Sequence, residues 1–169
     1  PLGALSFNFN TVKVYVSPGK KVGAPPNIII EPENEYIKLE NHAKTLKPRI
    51  RNKLIVNRIE KEDHDLITVT GGITLGQPRA HYFLNITHPT QYALNVLKSY
   101  LKFSGIKFDG KLLEGTLPDN AEELHTHEGE PLALILRGLN KFSNNFVAEQ
   151  ILKTIGAEHF EPPGSTKKG

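Results

Sequence analysis

The residues of this chain whose types and spacing could do chemistry fall in four short stretches. Ser143-Asn144-Asn145 sets a hydroxyl and a carboxamide two residues apart, between two segments of helical pattern. Such a pair can serve either a helix end or a functional site. Taken alone, the same three residues are good capping chemistry between helices, and local pattern favours that plainer job. Ser165-Thr166-Lys167-Lys168 spells Ser-x-x-Lys, in which one helical turn brings an amine to a nucleophilic hydroxyl. A nucleophile needs a rigid, mostly buried helix start, whereas this one follows Pro162-Pro163-Gly164, so Ser165 is expected to act as an N-cap.

The other two stretches point to simpler roles. Gly105 to Leu112 has the glycine and lysine spacing of a phosphate-binding loop, but Leu112 stands where a hydroxyl would hold Mg²⁺. It also follows a helical pattern instead of a strand, so a helix-to-strand turn is expected. His125-Thr126-His127-Glu128 places two imidazoles at i, i+2 with no third ligand evident, which reads as a solvated connector. Neither a metal nor a cofactor is expected.

The elements that must position these groups change character along the chain. Thr11 to Val16 alternates polar and apolar residues, as a half-buried strand should, and Pro18-Gly19 breaks it. Further strands are expected at Asn27 to Ile30, Tyr36 to Glu40, Leu54 to Ile59, Leu66 to Thr70 and Tyr82 to Thr87, with a short one at Ile106 to Phe108. After Pro89 the period becomes helical: Thr90 can cap a helix in which Tyr92, Ala93, Val96, Leu97, Tyr100 and Leu101 share a face. Residues 114 to 130 form a polar, acidic connector. Beyond it, Leu132, Ile135, Leu136 and Leu139 form one helical stripe, and Val147, Ile151, Leu152 and Ile155 another, with Gly156 expected as its C-cap. The expected class is α+β: a β-rich region over residues 1–115, with one helix near 90–104, then a helix-turn-helix piece over 116–169.

Composition bounds the function classes. Hydrophobic content of 38% and charged content of 23% are those of a globular protein, and no apolar run approaches a membrane span. Against 21 basic residues stand 18 acidic ones. The basic cluster Lys44, Lys47, Arg49, Arg51, Lys53 and Arg58 runs straight into Glu60-Lys61-Glu62-Asp63, which cancels the local field, so nucleic acid is not an expected partner. Cysteine is absent, which excludes a disulfide framework and a thiolate metal site. Methionine is absent too, and both ends read as internal to something longer.

The stretch from Leu139 to Gly156, Leu-Asn-Lys-Phe-Ser-Asn-Asn-Phe-Val-Ala-Glu-Gln-Ile-Leu-Lys-Thr-Ile-Gly, resembles the second motif region of the class C penicillin-binding proteins, D-alanyl-D-alanine carboxypeptidases and endopeptidases with domains inserted into a transpeptidase-like core. Gly3 to Val12 followed by Pro18-Gly19 resembles the opening of their insert, Gly129-Glu130-Pro131-Leu132 the return to the catalytic domain, and Pro163-Gly164-Ser165-Thr166 the segment after the second-motif helix. These blocks stand in family order along nearly the whole chain. The resemblance implies a β-rich insert followed by a piece of a transpeptidase/β-lactamase-like catalytic domain. It implies serine chemistry on peptidoglycan stem peptides and β-lactams, with Ser143 relaying protons and Asn145 holding the substrate amide. Asn144 stands where relatives often have aspartate. A periplasmic or cell-envelope location is implied, as is inactivity of this stretch alone, since the nucleophile's Ser-x-x-Lys and the later Lys-Thr-Gly would lie outside it. The alternative reading is a non-catalytic module that binds peptidoglycan or a partner.

Overall fold

Alternation at the start of the chain does what period two demands. In β1 (Thr11–Ser17) Val12, Val14 and Val16 are fully buried, while Thr11, Lys13, Tyr15 and Ser17 face the other way. The computed structural model describes residues 2–116 and 118–169. Contacts divide the chain into two units, Gly3–Glu114 and Gly115–Gly169.

The first unit holds two sheets and a helix. β1 lies between β2 (Asn27–Glu31) and β7 (Ala80–Asn85), antiparallel to both, with Val14 opposite Ile30 on one side and Tyr82 on the other. The second sheet is organised by β6 (Asp65–Thr74). Along one edge it pairs in parallel first with β3 (Ile37–Asn41) and then with β4 (Lys44–Leu46), and along the other it pairs antiparallel with β5 (Lys53–Glu60). Where β4 and β5 approach β6 together, the sequence supplies Gly71-Gly72. A Cβ on Gly72 would stand 2.6 Å from Leu46 Cγ, and Gly71 holds a positive φ with its Cα face against the Lys53 carbonyl.

Helix α1 (Pro89–Phe103) starts on a proline at its first turn, where the missing N–H costs nothing. Its first half enters the core: Tyr92 and Val96 are buried and join Val12, Val14, Val16, Tyr36, Ile67, Val69, Ile73 and Ile86 in one apolar cluster. Each such valine or isoleucine contributes about 1.5–3 kcal/mol when taken from water. Its second half leaves Leu97 and Tyr100 largely exposed, so the expected apolar face is used only in part.

Polar groups inside this core are paired. Tyr92 donates its hydroxyl to the Thr11 carbonyl at 3.0 Å. The buried Asn10 side chain accepts from the Phe7 N–H, and Thr45, buried on β4, accepts from the Gly19 N–H at 2.8 Å. Burial pushes the hydroxyl pKa values of Tyr36 and Tyr92 up to about 12.

The second unit opens with an irregular connector and then forms α2 (Leu132–Phe142) and α3 (Asn145–Phe160), which pack on each other. Gly156 does not end α3. It is buried inside the helix, because residues 165–169 fold back over it: a Cβ there would lie 2.9 Å from the Gly169 nitrogen and from Lys168 Cβ. The glycine marks a close backbone approach, and the helix runs one turn further. The class is α+β, as expected. No strand forms at Ile106 to Phe108, where Ile106 is more than half exposed.

Candidate functional site

Ser143 and Asn144 join α2 to α3, and together with Asn145, where α3 begins, each has a different backbone task. Ser143 ends α2 in the left-handed conformation, φ 51° and ψ 50°, with its N–H donating to the Leu139 carbonyl at 2.8 Å. Glycine is the residue that takes this conformation freely, and a serine there costs roughly 1 kcal/mol. Asn144 is extended and is the N-cap of α3: its Oδ1 accepts from the Val147 N–H at 3.2 Å, and its carbonyl accepts from the Ala148 N–H at 3.0 Å. Asn145 is the first residue inside α3, at the positive end of that helix dipole.

Capping is therefore done by Asn144, the middle residue. The side chains on either side of it, Ser143 and Asn145, are both exposed. Among the described residues neither has a side-chain hydrogen bond. The chain spells Ser-x-Asn once more, at Ser6-Phe7-Asn8, and the comparison is instructive. There the Ser6 hydroxyl donates to the Gly3 carbonyl at 2.7 Å and the Asn8 amide to the Thr11 carbonyl at 3.1 Å, so both groups serve a local turn.

Ser165 starts a turn, and among the described residues no helix follows it to be capped as expected. Its hydroxyl accepts from the Lys168 N–H at 3.3 Å, and the Lys168 amine turns back to the Glu161 and Pro163 carbonyls at 3.0 and 3.1 Å. An amine so engaged is not aimed at the serine. Three more Ser-x-x-Lys strings occur in the sequence, at Ser17, Ser99 and Ser104. They fall at a strand end, in the third turn of α1 and at its C-cap, so none stands at a helix start. The Gly105 to Leu112 stretch follows α1, with Gly105 at φ 79°, and has no strand before it. His125 and His127 are exposed on the connector, and the described residues hold no cluster of three or more His, Asp or Glu side chains suited to a metal ion.

Comparison with known proteins converges on one family. The sequence model of the D-Ala-D-Ala carboxypeptidase 3 (S13) family matches residues 1–169. A D-alanyl-D-alanine carboxypeptidase of Actinomadura sp. (strain R39) is 28% identical over 155 residues, which cover 90% of this chain and 28% of that protein. The D-alanyl-D-alanine carboxypeptidase DacB of Haemophilus influenzae is 28% identical over 78 residues, 46% of this chain and 16% of that protein. The crystal structure of penicillin binding protein 4 from Haemophilus influenzae, in complex with a β-lactam, superposes with a TM-score of 0.74 at 17% identity. That match covers 98% of this chain and 37% of the other, a likeness of fold. The chain thus spans between a sixth and just over a third of the length of the proteins it resembles.

Proposed function

Because the chain belongs to the D-Ala-D-Ala carboxypeptidase 3 (S13) family, we propose that it is part of a serine-type enzyme that removes terminal D-alanine from peptidoglycan stem peptides. Ser143 and Asn145 are its second polar motif. On this reading residues 116–169 belong to the catalytic domain and residues 1–115 to a β-rich insert. Ser143 relays protons among the nucleophilic serine, its activating lysine and the leaving D-alanine. Asn145 holds the substrate's peptide amide and orients that lysine. Stem peptides and β-lactams are the ligands of the intact enzyme, which works in the periplasm or cell envelope.

The turn between α2 and α3 carries the reading. A serine occupies a left-handed position that glycine would fill with less strain, and only Asn144 is needed for capping. Strain retained where a cheaper residue exists is a mark of functional positions. The apolar stripe of α2 adds support: Leu132, Ile135 and Leu136 are all substantially exposed in this unit. An amphipathic helix buries such a stripe against something, and the remainder of a catalytic domain is the cover that this reading supplies.

Acyl transfer requires nucleophile, base and oxyanion donors within hydrogen-bond reach of one another. No Ser-x-x-Lys of these 169 residues stands at a buried helix start, so the chain by itself should neither hydrolyse D-Ala-D-Ala nor be acylated. The test is covalent labelling with a fluorescent penicillin. The 169-residue chain should stay unlabelled, and a longer protein that includes it should be labelled. Ser143→Ala in the longer protein should slow acylation by about 10²–10³-fold, the range for losing one proton-transfer or charge-stabilising group. Label on the chain alone, or acylation of the alanine variant at the parent rate, overturns the proposal.

A further inference from the structure

The face of the β2–β1–β7 sheet that turns away from the core has no part in the chemistry above, yet its side chains are ordered into one ladder. The Arg79 guanidinium carbon lies 4.0 Å from the centre of the Tyr15 ring, and Lys13 Nζ lies 4.6 Å from the same ring and 5.3 Å from that of Phe83. His81 meets Phe83 edge-on at 5.8 Å. Strand register produces this arrangement: Lys13 stands opposite Phe83, and Tyr15 stands between His81 and Ile29.

Two features make the ladder a surface for a ligand. The ring faces attract the two cations and hold long side chains that would otherwise sweep through solvent, so less freedom is lost when an anion arrives. Among the described residues no carboxylate forms an ion pair with Lys13 or Arg79, although register sets Glu31 opposite Lys13. Beside these charges Phe83 is 64% exposed and Ile29 41%, which leaves apolar area in water next to fixed positive charge.

We propose that this face is a second binding surface for the enzyme's own class of substrate, an extended peptide whose terminal carboxylate rests on Lys13 and Arg79 while its small apolar side chains cover Phe83 and Ile29. A peptide ending in D-alanyl-D-alanine has that chemistry, with a free carboxylate and two adjacent methyl groups. The choice of peptide rests on the family reading. The charge pattern does not.

The probe is an N-acetylated peptide ending in D-alanyl-D-alanine, titrated into the ¹⁵N-labelled chain as the free acid and as the C-terminal amide. The free acid should shift the backbone amides of β1 and β7 saturably, and the amide should bind at least about tenfold more weakly, the factor that one charge-assisted hydrogen bond carries. K13E/R79E should lose a similar factor with its circular dichroism unchanged, and K13Q/R79Q serves the same purpose where the charge reversal does not fold. Shifts that avoid both strands, equal binding of acid and amide, or a folded K13Q/R79Q chain that binds undiminished each overturn the proposal. Penicillin labelling plays no part in this titration, so its outcome and the one for Ser143 stand separately.

Discussion

Asp65 holds Thr87 by two bonds at once: the Thr87 N–H donates to Oδ2 at 2.8 Å and the Thr87 hydroxyl to Oδ1 at 2.7 Å. The carboxylate is fully buried at the start of β6, and Arg58 on β5 donates to the same Oδ1 from 3.3 Å. Next along the chain, the His88 N–H donates to the Tyr36 hydroxyl at 3.1 Å. The link from β7 into α1 is thus fastened to the second sheet by side chains. Asp65→Ala should cost about 2–4 kcal/mol, because it strands the Arg58 charge and two Thr87 donors. Asp65→Asn, which keeps the shape, should cost less. Urea denaturation followed by circular dichroism reads both, and an alanine variant as stable as the parent would contradict this account.

Gly72 sits where β4 presses against β6. Gly72→Val should destabilise the first unit by about 1–3 kcal/mol or more through overpacking against Leu46 and the Lys44 carbonyl. The substitution would improve strand propensity on an open sheet. Thermal melting decides between the two effects, and a rise in Tm would show that β4 lies further from β6 than described.

Alkaline pH should weaken the fold through Tyr36 and Tyr92. Burial favours their neutral hydroxyls and raises both values from the ordinary 10.0 to about 12. In the unfolded chain they ionise near 10, so this contribution is fully present below pH 10 and declines as pH climbs from 10 towards 12. Spectrophotometric titration of Tyr36→Phe and Tyr92→Phe should each lose phenolate amplitude at the alkaline end. Loss of that amplitude near pH 10 instead would place the missing phenol in water.

The turn between α2 and α3 makes opposite demands at adjacent positions. Ser143→Gly should stabilise the second unit by about 0.5–1 kcal/mol, since glycine takes a positive φ freely. Asn144→Ala should cost about 1 kcal/mol by removing the cap on Val147. Helicity against denaturant measures each, and a destabilising Ser143→Gly would mean that the serine hydroxyl has a structural bond after all.

Much of this fold was legible because its strands alternate. Val12, Val14 and Val16 declare β1, and Ile67 and Val69 declare β6, by period alone. β4 was not legible. It is three residues long, only Thr45 points fully inward, and its flanking lysines read as surface. The false strand at Ile106 to Phe108 shows the converse, since three alternating residues that pair with no other strand stay irregular. Gly156 resembled a helix end because the returning segment that covers it is invisible to local pattern. At the turn, the sequence alone could not say which of three polar residues caps α3. That needed the hydrogen bond from Val147 to Asn144. Nor could composition reveal the ladder on the outer sheet face: Lys13 and Tyr15 share a face by alternation, but Phe83 and Arg79 reach them only because β7 and the residue before it lie beside β1.

The division of labour within that turn also sets what protein engineering can exchange there. The middle letter answers only to the start of a helix, so aspartate, serine or threonine should substitute for Asn144 with little penalty. Its two neighbours carry no such duty, and a mutational library across the three codons would separate tolerance from function one residue at a time.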